Sequence, residues 1–179
     1  MTTIRTIGHS TRSFEELAAA LKAHDIATLV DIRSFPISRR MPHFNRESLQ
    51  VELPKHGIAY VWLKELGGRR KKVLKDSPNT ALRNESFRNY ADYMMTEEFA
   101  DGIEKLLRIA AETTTGTAIM CAERVYFQCH RMLVSDYLTT RGHPVLHIDD
   151  EKRPVRQHTP LVEARLVDGK LVYDGGRLL

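Results

Sequence analysis

The sequence predicts an α/β fold: a single, mostly parallel sheet of about five strands flanked by helices, Rossmann-like or rhodanese-like, with a C-terminal β-hairpin. Three observations predict it. Short apolar runs alternate with amphipathic segments, the pattern of strands joined by helical crossovers. Several runs end in Gly, Asp or Cys followed by polar residues, as buried parallel strands do where they leave the core. Asp168-Gly169 lies between β-rich runs near the end, a strong hairpin signal.

The elements follow in order. Ile4–Gly8 reads as the first strand. Ser13-Phe14-Glu15-Glu16 is a capping box, in which the Ser13 hydroxyl accepts from a free helix N–H and Glu16 reaches back. The helix behind it carries Phe14, Leu17 and Leu21 at helical spacing. Residues 27–33 form a second strand that ends in charge. A loop with Pro36 and Pro42 follows, and Asn45 caps a short helix that stops near Pro54–Gly57. Ile58–Leu63 is the third strand. Residues 64–83 hold Gly67-Gly68 and the run Arg69-Arg70-Lys71-Lys72, and read as a long, mobile loop of the kind that often carries function. Helices are expected at about 86–95 and 97–112, with Ser86 and Thr96 as caps. Thr117–Cys121 is the fourth strand. A helix then opens near Cys129 and runs to Gly142, followed by a fifth strand at 144–148.

Composition narrows the class. A chain of 179 residues fits one domain, residues 1–179, with a single core. Its hydrophobic share of 42% and charged share of 28% are globular values and argue against disorder. The N-terminus shows no signal-peptide run, and no apolar stretch approaches the ~18–20 residues that span a bilayer. A cytoplasmic protein with no membrane partner is expected, and its cysteines, Cys121 and Cys129, are expected as thiols. The net charge of +4 allows an anionic partner, a small ligand or a nucleic acid, without requiring one. The residues set no oligomeric state.

In open parallel sheets ligands bind beyond the carboxyl ends of the strands. Strand one delivers Gly8-His9-Ser10-Thr11-Arg12 there. Strand two delivers Asp31, Arg33 and Ser34. Strand four delivers Cys121 and Glu123, then Cys129-His130-Arg131. A helix N-terminus disfavours cations, so His130 and Arg131 at that position call for an anionic partner: Glu123, Asp31 or a bound ligand. The same dipole favours a thiolate. Cys129 is expected to be exposed and Cys121 is as well explained by burial at a strand end. The leading reading is an enzyme with Cys121 or Cys129 as nucleophile, His9 or His130 as acid or base, and Asp31 orienting one of them. Arg12, Arg33, Arg39, Arg40 and Arg131 would hold an anionic, phosphate-bearing substrate, a nucleotide or nucleic acid. A nucleic-acid or nucleotide-binding module without chemistry is the second reading, with Arg69–Lys72 on phosphates. A sulfur-transfer or metal protein is the third. No cofactor is required, although Cys121, Cys129, His130 and His9 supply enough soft ligands for one zinc.

Ordered blocks from Thr6 to His147 resemble the uncharacterised family grouped as domain of unknown function 488. They are Thr6–Ser10, Leu29–Pro36, Phe44-Asn45, Tyr60–Gly68, Tyr90–Met94, Met120–Glu123 and Cys129–Arg131. The resemblance marks residues and implies no reaction. It adds Ser10, Ser34, Asn45 and Glu123 to the substrate-binding set. Val30–Arg33 and the strand ending in Cys121 also resemble rhodanese-like domains, whose cysteine carries sulfur. Here seven residues separate Cys121 from Cys129, with Arg131 two further on, so the likeness is one of fold.

Overall fold

A computed structural model describes residues 1–176. Five parallel strands, β1 (Ile4–Gly8), β2 (Ile26–Asp31), β3 (Ala59–Trp62), β4 (Gly116–Cys121) and β5 (Val145–His147), carry the sheet in the order β3-β2-β4-β1-β5. A two-residue strand, β6 (Arg156–Gln157), adds antiparallel to β5 at the edge, an element the sequence reading lacks. The predicted hairpin is β7 (Ala164–Val167) and β8 (Lys170–Tyr173), turned by Asp168-Gly169. Both turn residues have positive φ, 49° and 76°, which an Asp-Gly pair accommodates.

The helices are α1 (Phe14–Ala23), α2 (Arg46–Lys55), α3 (Glu85–Tyr93), α4 (Glu97–Glu112) and α5 (Arg131–Thr140). The Ser13–Glu16 capping box forms, and Thr96 caps α4. Asn84, not Ser86, caps α3 through Phe87 N–H. Asn45 stands at the head of α2, but its side chain accepts from Ser38 N–H and folds the preceding loop instead.

The sheet is apolar on both faces, as buried parallel strands must be. Ile7, Leu29, Ala118 and Met120 pack with Leu17 and Leu21 of α1 and Leu49 and Leu53 of α2. Ile4, Val30 and Ile119 pack with Tyr90 of α3, Phe99 of α4 and Leu133 of α5. Chains leaving β1 and β2 therefore turn to one face, and the chain leaving β4 turns to the other. Because β4 lies between β2 and β1, a crevice opens at its carboxyl end, where such sheets bind ligands. Among the described residues no helix is long and apolar enough to cross a membrane.

Candidate active site: two thiols on one imidazole

A cavity of about 580 Å³ occupies this crevice. Its walls include Arg33, Ser34, Gly68, Cys121, Cys129 and His130, and Phe35 and Ile37 stand at the rim, 68% and 70% exposed. Cys121 ends β4, level with Gly8 in the register. Eight residues later Cys129 and His130 lead into α5.

The sulfurs of Cys121 and Cys129 lie 3.8 and 3.5 Å from one atom, His130 Nδ1. The other ring nitrogen, Nε2, stands 3.0 Å from the Ile32 carbonyl at the end of β2. A carbonyl only accepts, so the network assigns the proton to Nε2 and leaves Nδ1 of the neutral ring as a bare lone pair. That lone pair faces both thiols. Arg131 N–H, at the start of α5, donates to Cys129 Sγ at 3.5 Å.

The two thiols are electrostatically unequal. Burial alone would raise Cys129, but the Cys121 S–H, His130 and Arg131 outweigh it and hold Cys129 well below the ordinary thiol range. Cys121 is pushed well above that range, first by donating to Cys129 and then by burial. The expectation that Cys129 is exposed is corrected: it is 4% exposed, because its sulfur turns inward to His130. Cys121 is 8% exposed, and both border the cavity.

A buried ion pair builds the adjoining wall. Asp31 accepts Arg33 Nε at 2.9 Å, Arg33 NH2 at 2.5 Å, the Arg33 backbone N–H at 3.0 Å and the Tyr60 hydroxyl at 2.7 Å. Arg33 also donates to the Phe44 carbonyl and to His9 Nε2. His9 Nδ1 donates to the Ser10 carbonyl, so both nitrogens of that ring are engaged. Burial first, and Arg33 next, lower His9 to about 4. His9 is therefore a neutral ring behind Arg33, outside the cavity lining and outside the group formed by Cys121, Cys129 and His130.

The arginines do not gather as the sequence suggests. Arg12 is spent on the Gly8 and Asp149 carbonyls. Arg131 is 1% exposed and turns to Thr6 Oγ1 and the carbonyls of Glu123 and Arg124. Among the described residues no carboxylate pairs with it, so the anionic partner expected at the head of α5 is supplied by carbonyl dipoles. Arg39 and Arg40 are exposed and outside the cavity lining. Ser10 takes φ 51° and donates its N–H to the Ala122 carbonyl. Ser34 Oγ lines the cavity and accepts Arg69 N–H at 2.8 Å. Glu123 is exposed at the mouth.

Residues beyond the predicted set complete the site. Residues 64–83 are irregular after a 3-10 turn at Lys64–Leu66, yet their first part is pinned: Tyr90 and Tyr93 hydroxyls donate to the Leu66 and Glu65 carbonyls. Arg70 folds back onto carbonyls of 64, 65 and 67 and over the Tyr93 ring, so the basic run is not one open patch. Gly68 lies against His130: a Cβ there would sit 2.4 Å from Nδ1. The Gly67-Gly68 pair was the available signal, since adjacent glycines in a long loop permit close backbone approach. Gly68→Ala is expected to displace the imidazole, slow Cys129 alkylation at least tenfold, and cost about 1–3 kcal/mol in urea unfolding. Wild-type alkylation in this variant would contradict the packing.

No curated protein and no solved structure matches the chain. The rhodanese-like likeness therefore finds no support among solved structures. A family profile described as domain of unknown function DUF488 does match, over residues 13–138, a span that includes Asp31, Arg33, Gly68, Cys121, Cys129 and His130. By the extent of that match, the chain belongs to the DUF488 family.

Proposed function

We propose that the chain is a cysteine-dependent enzyme in which Cys129 is the nucleophile, His130 its base and Cys121 a second thiol that steadies the thiolate. One observation carries this reading: two sulfurs lie within 3.8 Å of a single imidazole nitrogen, at a cavity where an open parallel sheet binds its ligand. His130 Nδ1 accepts the Cys129 proton. The thiolate attacks an electrophilic centre of the substrate, a bond to sulfur forms, and the leaving group departs with its electron pair. The imidazolium returns its proton to that group. Water, deprotonated by the same ring, then cleaves the sulfur bond and restores the thiol.

The substrate is anionic and phosphate-bearing, with an apolar part. Arg69 lines the cavity and is exposed, Arg33 supplies positive charge from the wall, and Phe35 and Ile37 offer apolar contact. Arg33 itself is committed to Asp31, so Arg69 is the side chain placed to meet a phosphate. A nucleotide satisfies these features.

Alkylation of the reduced chain tests both halves. His130→Gln is expected to slow modification of Cys129 at least tenfold. Adenosine monophosphate is expected to protect Cys129 in the wild type and not in Arg69→Ala. Undiminished alkylation in His130→Gln would remove the base; protection that survives in Arg69→Ala would remove the proposed phosphate contact.

A further inference from the structure

Two thiols and one imidazole nitrogen facing a common point are also a ligand set. A tetrahedral Zn²⁺ with bonds of about 2.3 Å to sulfur and about 2.0–2.1 Å to nitrogen has sulfur–nitrogen edges of about 3.6 Å. The two edges here measure 3.8 and 3.5 Å. All three ligand atoms lie within 4.8 Å of one another.

The orientation of the ring is a second, independent observation. Histidine ligands usually donate their other N–H to a carbonyl or carboxylate, which fixes the tautomer and aims the bare nitrogen at the metal. His130 Nε2 does this at the Ile32 carbonyl. Gly68 leaves the lone pair unobstructed. Its notional Cβ would lie 2.4, 2.7 and 2.8 Å from Nδ1, Cγ and Cε1, distances so nearly equal that the point is above the ring face, not in its plane. All three residues border the cavity, so a fourth ligand position would open toward it.

We infer that Cys121 Sγ, Cys129 Sγ and His130 Nδ1 hold one soft divalent cation of the Zn²⁺ class, with its fourth coordination position facing the cavity. The inference rests on the geometry that carries the nucleophile reading and deepens it: the cation and an electrophile compete for the Cys129 sulfur. Thiolate and imidazole donors favour Zn²⁺ and Co²⁺ over Mg²⁺ and Ca²⁺. Loading releases the thiol protons.

The test titrates Co²⁺ into the reduced, chelator-treated full chain and follows its absorption, with Cys129 alkylation measured in parallel. The expected result is one equivalent bound, tetrahedral d–d bands with a sulfur-to-cobalt charge-transfer band, and displacement of both by Zn²⁺. Cys121→Ser, Cys129→Ser and His130→Gln should each weaken binding at least tenfold. Zn²⁺ should slow Cys129 alkylation at least tenfold, and chelator should reverse this. No charge-transfer band in excess Co²⁺, or a band that survives in Cys129→Ser, overturns the cation site whatever the thiols do. A band with thiols that are inert when metal-free leaves the cation site standing and overturns the nucleophile reading. A band with fast, His130-dependent alkylation of the metal-free chain supports both.

Discussion

Asp31→Asn is expected to destabilise the chain by about 3–5 kcal/mol, the usual cost of removing one partner from a buried ion pair. Asp31 is fully buried and accepts the Arg33 guanidinium, the Arg33 backbone N–H and the Tyr60 hydroxyl. An asparagine keeps the size but loses the charge, and its amide turns donors toward groups that are already donors. Arg33 is left as a buried cation without its counter-ion. Ile32, between these two residues, provides the carbonyl that orients His130, so the damage should extend to the site. Urea unfolding reads the first effect and Cys129 alkylation the second. Asp31→Leu combined with Arg33→Met should recover much of the stability, since a buried pair can often be exchanged for apolar side chains of similar volume. A cost below about 1 kcal/mol for Asp31→Asn would mean that the pair is solvated, contrary to its burial.

The second large effect is acid destabilisation through two buried histidines. His9 is lowered to about 4, by burial first and by Arg33 next, partly opposed by the Ser10 carbonyl and Asp31. His147 is lowered to about 3, by burial and then by His158, Arg131 and Arg156. Both folded values lie below the unfolded reference of about 6.5. Below that pH the unfolded chain binds protons that the folded chain refuses, so their contribution is complete above pH ~6.5 and is lost as pH falls toward the folded values. Each slope approaches about 1.4 kcal/mol per pH unit below the unfolded pKa, so the pair should remove about 3 kcal/mol between pH ~6.5 and ~5. Urea midpoints across this range measure it. His147→Gln should roughly halve the slope, while a flat profile in the wild type would contradict the neutral, buried state of both rings.

His147 belongs to a polar chain that crosses the core. Thr6 Oγ1 meets His147 Nδ1 at 2.8 Å, His147 Nε2 meets His158 Nδ1 at 2.9 Å, and His158 Nε2 donates to Asp136 at 2.6 Å. Asp136 also accepts the Tyr173 hydroxyl at 3.0 Å, which ties the C-terminal hairpin to α5. Arg131 donates to Thr6 at the other end, so the chain runs from a buried guanidinium to a buried carboxylate. Tyr126 stacks on His147 with centroids 3.5 Å apart. No local pattern announces this chain. Its members come from β1, β5, α5 and the segment after β6, and they meet only when those elements pack.

What the sequence does reveal follows from local chemistry. Ser13 and Glu16 announce α1 because a capping box is complete within four residues. Asp168-Gly169 announces the hairpin because the turn itself requires positive φ. The polar residues after β1, β2 and β4 locate the crevice because parallel strands release polar groups only at their ends. Side-chain direction is less legible. Arg12 and Arg131 sit where ligands bind, yet they satisfy carbonyls of the strand-end loops, a use that spacing does not disclose. Cys129 lies just before a helix, but the 3-10 turn at Tyr126–Gln128 rotates its sulfur inward. His130 and Ile32 are 98 residues apart, and their pairing depends on α5 reaching the end of β2.

The most direct test of the central claim is the pH dependence of alkylation at each cysteine, read by intact mass on the reduced, metal-free chain. The account predicts that Cys129 reacts first, with an apparent pKa well below the ~8.5 of a free thiol, and that Cys121 follows slowly. Reaction at Cys121 ahead of Cys129, or two inert thiols in a chain that stays folded, would contradict it.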